Sequence, residues 1–126
     1  MRLRLPQRRE QIYEGGELTP FERAAGRFNA SEAGQTVAGL VRTLGEPKVS
    51  VGALAGVRGG ARVTVAWELC WYQWRVDLGA PTVAVRELAR GSEIGEIDYA
   101  ARQWNAAVSA EGRISVGARD GVAAGR

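Results

Sequence analysis

The sequence predicts a single α+β domain, with a mainly antiparallel sheet of four to five strands and about three helices packed on one face. Three observations carry this prediction. The 126 residues fit one domain, 45% of them are apolar, and the apolar spacing changes between the helical period of about 3.6 residues and the strand period of two. The predicted order is roughly β-α-α-β-β-β-α-β. We expect the domain to cover residues 1–118, with residues 119–126 as a loose, small and polar tail.

Apolar and basic side chains alternate at the N-terminus, which predicts a strand over residues 1–5. Pro6 has no amide hydrogen for a neighbouring strand, so the strand ends there or lies at a sheet edge. Residues 7–18 are polar and are predicted to connect this strand to the first helix, with a short strand near Ile12 and Tyr13 as an open alternative.

Two helices are predicted next, each from start or stop signals. The first begins with a capping box and a proline at its first position, formed by Thr19, Pro20 and Glu22. Its apolar face consists of Phe21, Ala24, Ala25 and Phe28. The second begins at Ser31 and ends before Gly45, a residue type suited to a left-handed C-terminal cap. Its apolar stripe consists of Val37, Leu40, Val41 and Leu44.

A β-hairpin is predicted where the apolar period falls to two, with strands over residues 49–57 and 61–69. A three-residue loop over 58–60 keeps the apolar side chains of both strands on one face, whereas a two-residue loop sets apolar against polar residues. The predicted cross-strand pairs are Val57 with Ala61, Ala55 with Val63, Ala53 with Val65, Val51 with Trp67, and Val49 with Leu69.

The second strand of this hairpin changes phase after Trp71, because apolar residues occupy odd positions before it and even positions after it. One straight strand cannot bury both sets on one face. The sequence therefore predicts either a bulge near residues 70–73 or a strand whose two ends cover different cores. The second alternative includes a dimer interface or a partner site.

Three further elements complete the prediction. Residues 82–89 fit a strand or a helix, and we favour a strand that pairs Val83 with Leu78 and Val85 with Val76. Residues 97–108 have helical spacing and are predicted to form the third helix. A turn at Glu111-Gly112 leads into a short closing strand over residues 113–116. The apolar face of the third helix consists of Ile97, Ala100, Ala101, Trp104, Ala107 and Val108.

The composition excludes several kinds of catalytic and metal site within one chain. The sequence has no histidine and one cysteine, Cys70, so Ser-His-Asp and Cys-His catalysis, a closed zinc site and an intramolecular disulfide are ruled out. The glycines of residues 56–60 join two strands and lack the lysine of a phosphate-binding loop. We therefore expect no cofactor and no metal, and we favour a protein that is not an enzyme.

The chain has no long apolar run, so we expect no membrane segment and a soluble, cytoplasmic protein. Its formal net charge is +3, and Lys48 is the only lysine among 17 basic residues. Arginine pairs with phosphate and carboxylate oxygens through two parallel hydrogen bonds, but a GC-rich genome also favours arginine over lysine. We favour the explanation from genome composition.

Aromatic residues are concentrated over residues 67–74, where the sequence leaves open whether they form core or interface. We favour the core for Trp67 and Trp71, which continue the apolar face of the hairpin, and leave both alternatives open for Trp74. The main hypothesis is a non-enzymatic interaction or accessory module, a homo-oligomer or a binder of another protein, that associates through an exposed aromatic sheet face. The residues of this hypothetical surface are Tyr72, Trp74, Val76 and Leu78.

Two alternative functions stay open. The first, less favoured, is a nucleic-acid-binding module that uses N-terminal arginines for phosphate contact and a tyrosine for stacking: Arg2, Arg4, Arg8, Arg9 and Tyr13. The second is a small-ligand pocket or carboxylate-dependent enzyme, which needs Glu68 or Asp77 to converge with another polar group such as Tyr72. The sequence favours a solvated sheet face for these carboxylates.

Overall fold

A computed structural model describes residues 18–79 and 85–117 and confirms the α+β class. The two helices are α1, Pro20–Asn29, and α2, Glu32–Leu44. The six strands are β1, Lys48–Ala53; β2, Gly60–Ala66; β3, Trp71–Asp77; β4, Val85–Gly91; β5, Ala106–Val108; and β6, Ile114–Val116. They form one antiparallel sheet in the order β4-β3-β2-β1-β5-β6, which is larger than the four to five strands expected.

Both predicted helices are confirmed, as are their predicted starts and the end of α2 before Gly45. The Thr19 hydroxyl accepts a hydrogen bond from the Glu22 amide at 3.1 Å, and the Glu22 carboxylate accepts one from the Thr19 amide at 2.8 Å. These reciprocal bonds satisfy two amide groups that the first helical turn leaves without partners. At the other end of the pair, Gly45 follows α2 with a φ of +92°, a conformation that glycine adopts without a steric cost.

The main core lies between the two helices and one face of the sheet, which we call the helix face. Its largest fully buried members are valines and one phenylalanine: Phe28, Val37, Val49, Val51, Val63, Val65 and Val76. Phe28 of α1 meets Trp74 of β3 edge to face, with ring centroids 5.0 Å apart. This contact fixes α1 over the centre of the sheet, since aromatic pairs in this geometry are attractive beyond the area they bury.

The hairpin formed by β1 and β2 has the predicted faces but a different register. Ala53 lies opposite Ala61, four residues along β2 from the Val65 partner that the sequence predicted. The connecting loop covers residues 54–59, because Gly56 and Gly59 take positive φ values and form consecutive turns there. A shift in strand pairing by an even number of residues keeps every side chain on the same face of the sheet. The apolar pattern therefore fits the predicted and the observed register equally well.

The change of phase near Trp71 arises from a chain reversal, which corrects both predicted alternatives. Residues 67–70 form a tight turn, closed by a 2.8 Å hydrogen bond from the Trp67 amide to the Cys70 carbonyl. The predicted single strand is therefore two strands, β2 and β3, with Val63 opposite Trp74. The reversal supplies one of the two described strands that the sequence did not predict, and β5, within the predicted third helix, is the other.

The strand interpretation of residues 82–89 is confirmed where the structure describes them, and Val85 pairs with Val76 as predicted. The pair of Val83 with Leu78 falls outside the described residues. Strand β4 contains a bulge, because Ala89 lies opposite Gln73 whereas Glu87 lies opposite Trp74. The residue between them, Leu88, has no partner in β3.

The predicted third helix over 97–108 is wrong. Short 3₁₀ turns occupy Ile94–Glu96 and Tyr99–Ala101, and the chain then extends into β5. Trp104 takes a φ of +48°, and the Asn105 amide bonds the backbone N–H and C=O of Val51, each at 2.8 Å. These features interrupt the helical path. The segment covers part of the sheet face opposite the helices, which we call the outer face.

The closing strand is confirmed, since β6 lies within the predicted residues 113–116 and Gly112 takes a φ of +86° in the preceding turn. The predicted strands at residues 1–5 and near Ile12 and Tyr13 lie outside the described residues, as does the C-terminal tail. Within residues 18–79 and 85–117, no helix combines the length and the apolar character needed to span a membrane.

Candidate functional site

The proposed aromatic binding surface is mostly part of the core, which corrects the expectation that it is exposed. Trp74 is 5% exposed and Val76 is fully buried, because α1 covers this part of the helix face. Tyr72 and Leu78 are half-buried and pack against the same core. Trp74 and Val76 therefore pack within the core of one chain and are not part of an exposed aromatic face.

The aromatic side chains form a continuous row on the helix face. Tyr72 stacks on Trp74 with centroids 5.6 Å apart, Trp67 meets Tyr72 edge to face at 6.4 Å, and the Arg90 guanidinium lies 5.1 Å from the Tyr72 centroid. The bulge in β4 turns Glu87 and Arg90 toward the same face, where they form two hydrogen bonds of 2.7 and 2.8 Å. The hydrogen bond from Arg90 lowers the pKa of Glu87. This exposed ion pair covers the rim of the row.

The structure does not bring Glu68 and Asp77 together into one carboxylate site. Glu68 lies in the turn before β3 and Asp77 ends that strand, so the two are roughly 20 Å or more apart along an extended chain. Asp77 accepts a hydrogen bond from the Gly79 amide at 3.0 Å. No group of three or more potential metal ligands of the histidine, cysteine or carboxylate type occurs among the described residues.

The N-terminal arginines of the nucleic-acid hypothesis, Arg2, Arg4, Arg8 and Arg9, lie outside the described residues, and so does Tyr13. The structure therefore leaves this arrangement as a prediction from sequence. Two other surfaces emerge from the geometry, one at an end of the sheet and one on the outer face.

A cleft opens at the end of the sheet where the 67–70 turn projects, and we call this region the turn end. The cleft has a volume of about 380 Å³. Its lining residues are Leu44, Glu46, Lys48, Ala66, Trp67, Glu68 and Ile94. Leu44 is 47% exposed, and Leu69, next to Glu68 in the turn, is 80% exposed. The turn end thus combines apolar side chains with two carboxylates and one ammonium group.

The turn end is held in place by a hydrogen bond between two elements. The Trp67 indole N–H donates to the Gly45 carbonyl at 2.8 Å and joins the turn to the end of α2. The Trp67 side chain is only 6% exposed, so the indole is part of the cleft wall and of the core at once. This anchoring favours a preformed cleft, because the carbonyl at the end of α2 and the indole satisfy each other.

The outer face carries three arginines side by side on neighbouring strands, which we call the arginine row. Arg62 of β2 lies opposite Arg75 of β3, and Arg75 lies opposite Arg86 of β4. Both terminal nitrogens of Arg62 donate to Asp98, at 2.9 and 2.8 Å, and this pairing lowers the pKa of the Asp98 carboxyl. Arg75 lies 3.8 Å from the Asp77 carboxylate.

Sequence reasoning did not identify the arginine row, although part of the signal was present. The predicted pairing of Val76 with Val85 already places Arg75 opposite Arg86. Placing Arg62 in the same row required the reversal at residues 67–70, which the alternation of apolar residues concealed.

Comparison of the chain with protein-family models, curated proteins and solved structures found no match.

Proposed function

We propose that this protein is a non-enzymatic interaction module that self-associates through the turn end. The observation that carries the proposal is Leu69, 80% exposed in a tight turn beside a cleft whose walls include Leu44 and Trp67. Exposed apolar groups gathered around a concave surface are typical of protein-binding sites. The cleft does not contain a nucleophile paired with a base, so its geometry favours binding over catalysis.

The charge of the turn end favours a basic partner with apolar side chains. Glu46 and Glu68 outnumber Lys48 among the charged lining residues. Complementary charge steers association and selects among partners. The first nine residues of the sequence combine Leu3 and Leu5 with four arginines. We therefore propose a second copy of the chain as the partner, with its N-terminal segment as the ligand; reciprocal exchange between two copies closes a dimer.

Size-exclusion chromatography with light scattering over a concentration series tests this proposal. The wild-type mass is expected to rise toward that of a dimer, whereas Leu44→Ser/Leu69→Ser is expected to remain monomeric. Leu88→Ser is the matched control, since Leu88 is 44% exposed on β4 and lies away from the cleft lining. Deletion of residues 1–9 is expected to give a monomer as well.

Two outcomes contradict the proposal. A wild-type monomer at every concentration removes self-association, and a dimer that survives both Leu44→Ser/Leu69→Ser and the deletion places the interface elsewhere. Circular dichroism of each variant shows whether the fold is retained, because both leucines are substantially exposed and their replacement is expected to cost little stability.

We also propose a cytoplasmic location, because the single cysteine gives the chain no internal disulfide and thus no stabilisation from an oxidising compartment. Fractionation of cells that express the tagged chain tests this location.

A further inference from the structure

The arginine row places like charges directly opposite each other across two consecutive strand pairs. Arg62, Arg75 and Arg86 occupy one line across β2, β3 and β4. Neighbouring strands lie about 5 Å apart, so the line spans about 10 Å on the outer face. Directly opposed like charges destabilise an antiparallel sheet. Binding of an anion along the row would offset this repulsion.

Among the residues 18–79 and 85–117, the carboxylates near the row do not occupy all of its hydrogen-bond donors. Asp98 uses both of its oxygens on Arg62, but the 3.8 Å contact between Arg75 and Asp77 is longer than a hydrogen bond. The Arg75 side chain is 28% exposed, and Arg86 is an exposed residue. Within the described part of the chain, three guanidinium groups face the two carboxylates of Asp77 and Asp98, so these five groups together carry a net positive charge at neutral pH.

An exposed tyrosine directly follows the aspartate that pairs with Arg62 of the row. Tyr99 is 75% exposed and directly follows Asp98, whose carboxylate contacts Arg62. The backbone at this position is fixed, because the 3₁₀ turn Tyr99–Ala101 begins here and Ile97 and Ala101 are buried against the outer face. Tyrosine beside arginine on a surface provides a stacking platform for a base next to donors for its phosphate.

We propose that the arginine row binds the phosphate backbone of a single-stranded nucleic acid, with Tyr99 stacking on a base. The donors span three strands of a rigid sheet, which suits an extended chain of regularly spaced phosphates more than a single small anion. The site lies on the outer face and uses none of the residues that line the turn-end cleft, so it is independent of the proposed self-association.

Fluorescence anisotropy with labelled oligo(dT) and oligo(U) of about 20 nucleotides, over a series of salt concentrations, tests the proposal. Arg62 is already paired with Asp98, so two phosphate contacts, by Arg75 and Arg86, predict a slope of about −1.4 in a plot of log K against log salt concentration. Arg75→Gln/Arg86→Gln is expected to bind at least about tenfold more weakly at low salt and to bring the slope close to zero. The matched control is Arg23→Gln/Arg27→Gln, which removes the same charge from exposed positions of α1.

Two further variants separate the parts of the site. Asp98→Asn leaves Arg62 without its counter-charge and is expected to bind the oligonucleotides more tightly. Tyr99→Ala is expected to weaken binding about tenfold through loss of stacking. Thermal melts monitor folding, and the tighter binding expected of Asp98→Asn cannot result from an unfolded sheet.

Several results overturn the assignment. If Arg75→Gln/Arg86→Gln binds with the same affinity and salt slope as wild type, the arginine row is not the binding site. If the α1 control Arg23→Gln/Arg27→Gln loses as much affinity as the row variant, the effect comes from net charge alone. A loss seen only with Arg8→Ala/Arg9→Ala assigns binding to the N-terminal arginines instead. Equally tight binding of a duplex of the same length rules out the single-stranded specificity.

Discussion

At the scale of single residues, two asparagines replace sections of regular strand pairing. The Asn105 amide forms hydrogen bonds of 2.8 Å with the N–H and C=O of Val51. The Asn29 amide forms hydrogen bonds of 2.9 Å with the N–H and C=O of Ile114. A primary amide has the same donor and acceptor as a peptide unit, so it pairs with an extended backbone from the side. These contacts join β1 to the segment before β5, and α1 to β6.

We expect Asn105→Ala to lower the free energy of unfolding by about 3 kcal/mol, because it leaves the Val51 N–H and C=O without partners in a partly buried place. Urea denaturation measures this loss. Gln103→Ala, which removes an exposed amide two residues away, is the control and is expected to change stability by less than about 1 kcal/mol. Equal effects of the two substitutions contradict the structural role of Asn105.

Glu96 links stability to pH. Its carboxylate accepts hydrogen bonds from the Glu93 and Ser92 amides and from the Trp71 indole, which lower its pKa from 4.5. A carboxyl group whose pKa is lower in the folded than in the unfolded chain stabilises the fold at pH values above its unfolded-state pKa. This stabilisation is lost as the pH falls through its folded-state pKa. We therefore expect wild type to lose more stability than Glu96→Gln between about pH 6 and about pH 3.

Urea denaturation at both pH values measures this difference, with the exposed Glu111→Gln as the control for charge. Parallel curves for wild type and Glu96→Gln show that the carboxylate contacts do not stabilise the folded state.

At the scale of elements, the sequence predicted those structures that have local signals. The capping box at Thr19 and the glycine at the end of α2 fixed both helices, since their hydrogen bonds involve neighbouring residues. The reversal at residues 67–70 was missed because Trp67-Glu68-Leu69-Cys70 contains none of the usual turn residues. Residues 97–108 have helical spacing, but Ile97 and Ala101 pack on the outer face beside short 3₁₀ turns, whereas Val108 in β5 belongs to the main core on the helix face.

The turn between β5 and β6 depends on Gly112. Its φ is +86°, and a Cβ atom there would collide with the backbone and side chain of Ala38 in α2. We expect Gly112→Ala to destabilise the protein by at least about 2 kcal/mol, through both the strained φ and the displaced helix. Thermal melts compare it with Gly52→Ala in β1, where a Cβ meets no atom within 4 Å.

The control substitution removes backbone freedom from the unfolded chain and is expected to be neutral or slightly stabilising. Comparable melting temperatures for Gly112→Ala and wild type mean that α2 and the turn between β5 and β6 do not pack as closely as described.

At the scale of the molecule, the sheet has a cover on each face, and this arrangement decides which surfaces can bind. The helices bury the aromatic row on the helix face, and the segment with the 3₁₀ turns buries Ala66 and Trp71 on the outer face. The sequence therefore shows that residues 67–74 are aromatic, but it does not show which of them are buried. Their burial depends on which elements cover each face of the sheet. The turn end and the arginine row lie beyond these covers and carry the two proposed interactions.

Hydrogen–deuterium exchange of dilute and concentrated protein tests the proposed self-association most directly, because it locates the surface as well as detecting the complex. We predict that amides of residues 67–70 and 44–46 exchange more slowly in the concentrated sample, while the exposed strand β4 is unchanged. Unchanged exchange at the turn end, or new protection confined to Val85–Gly91, contradicts association through the turn end.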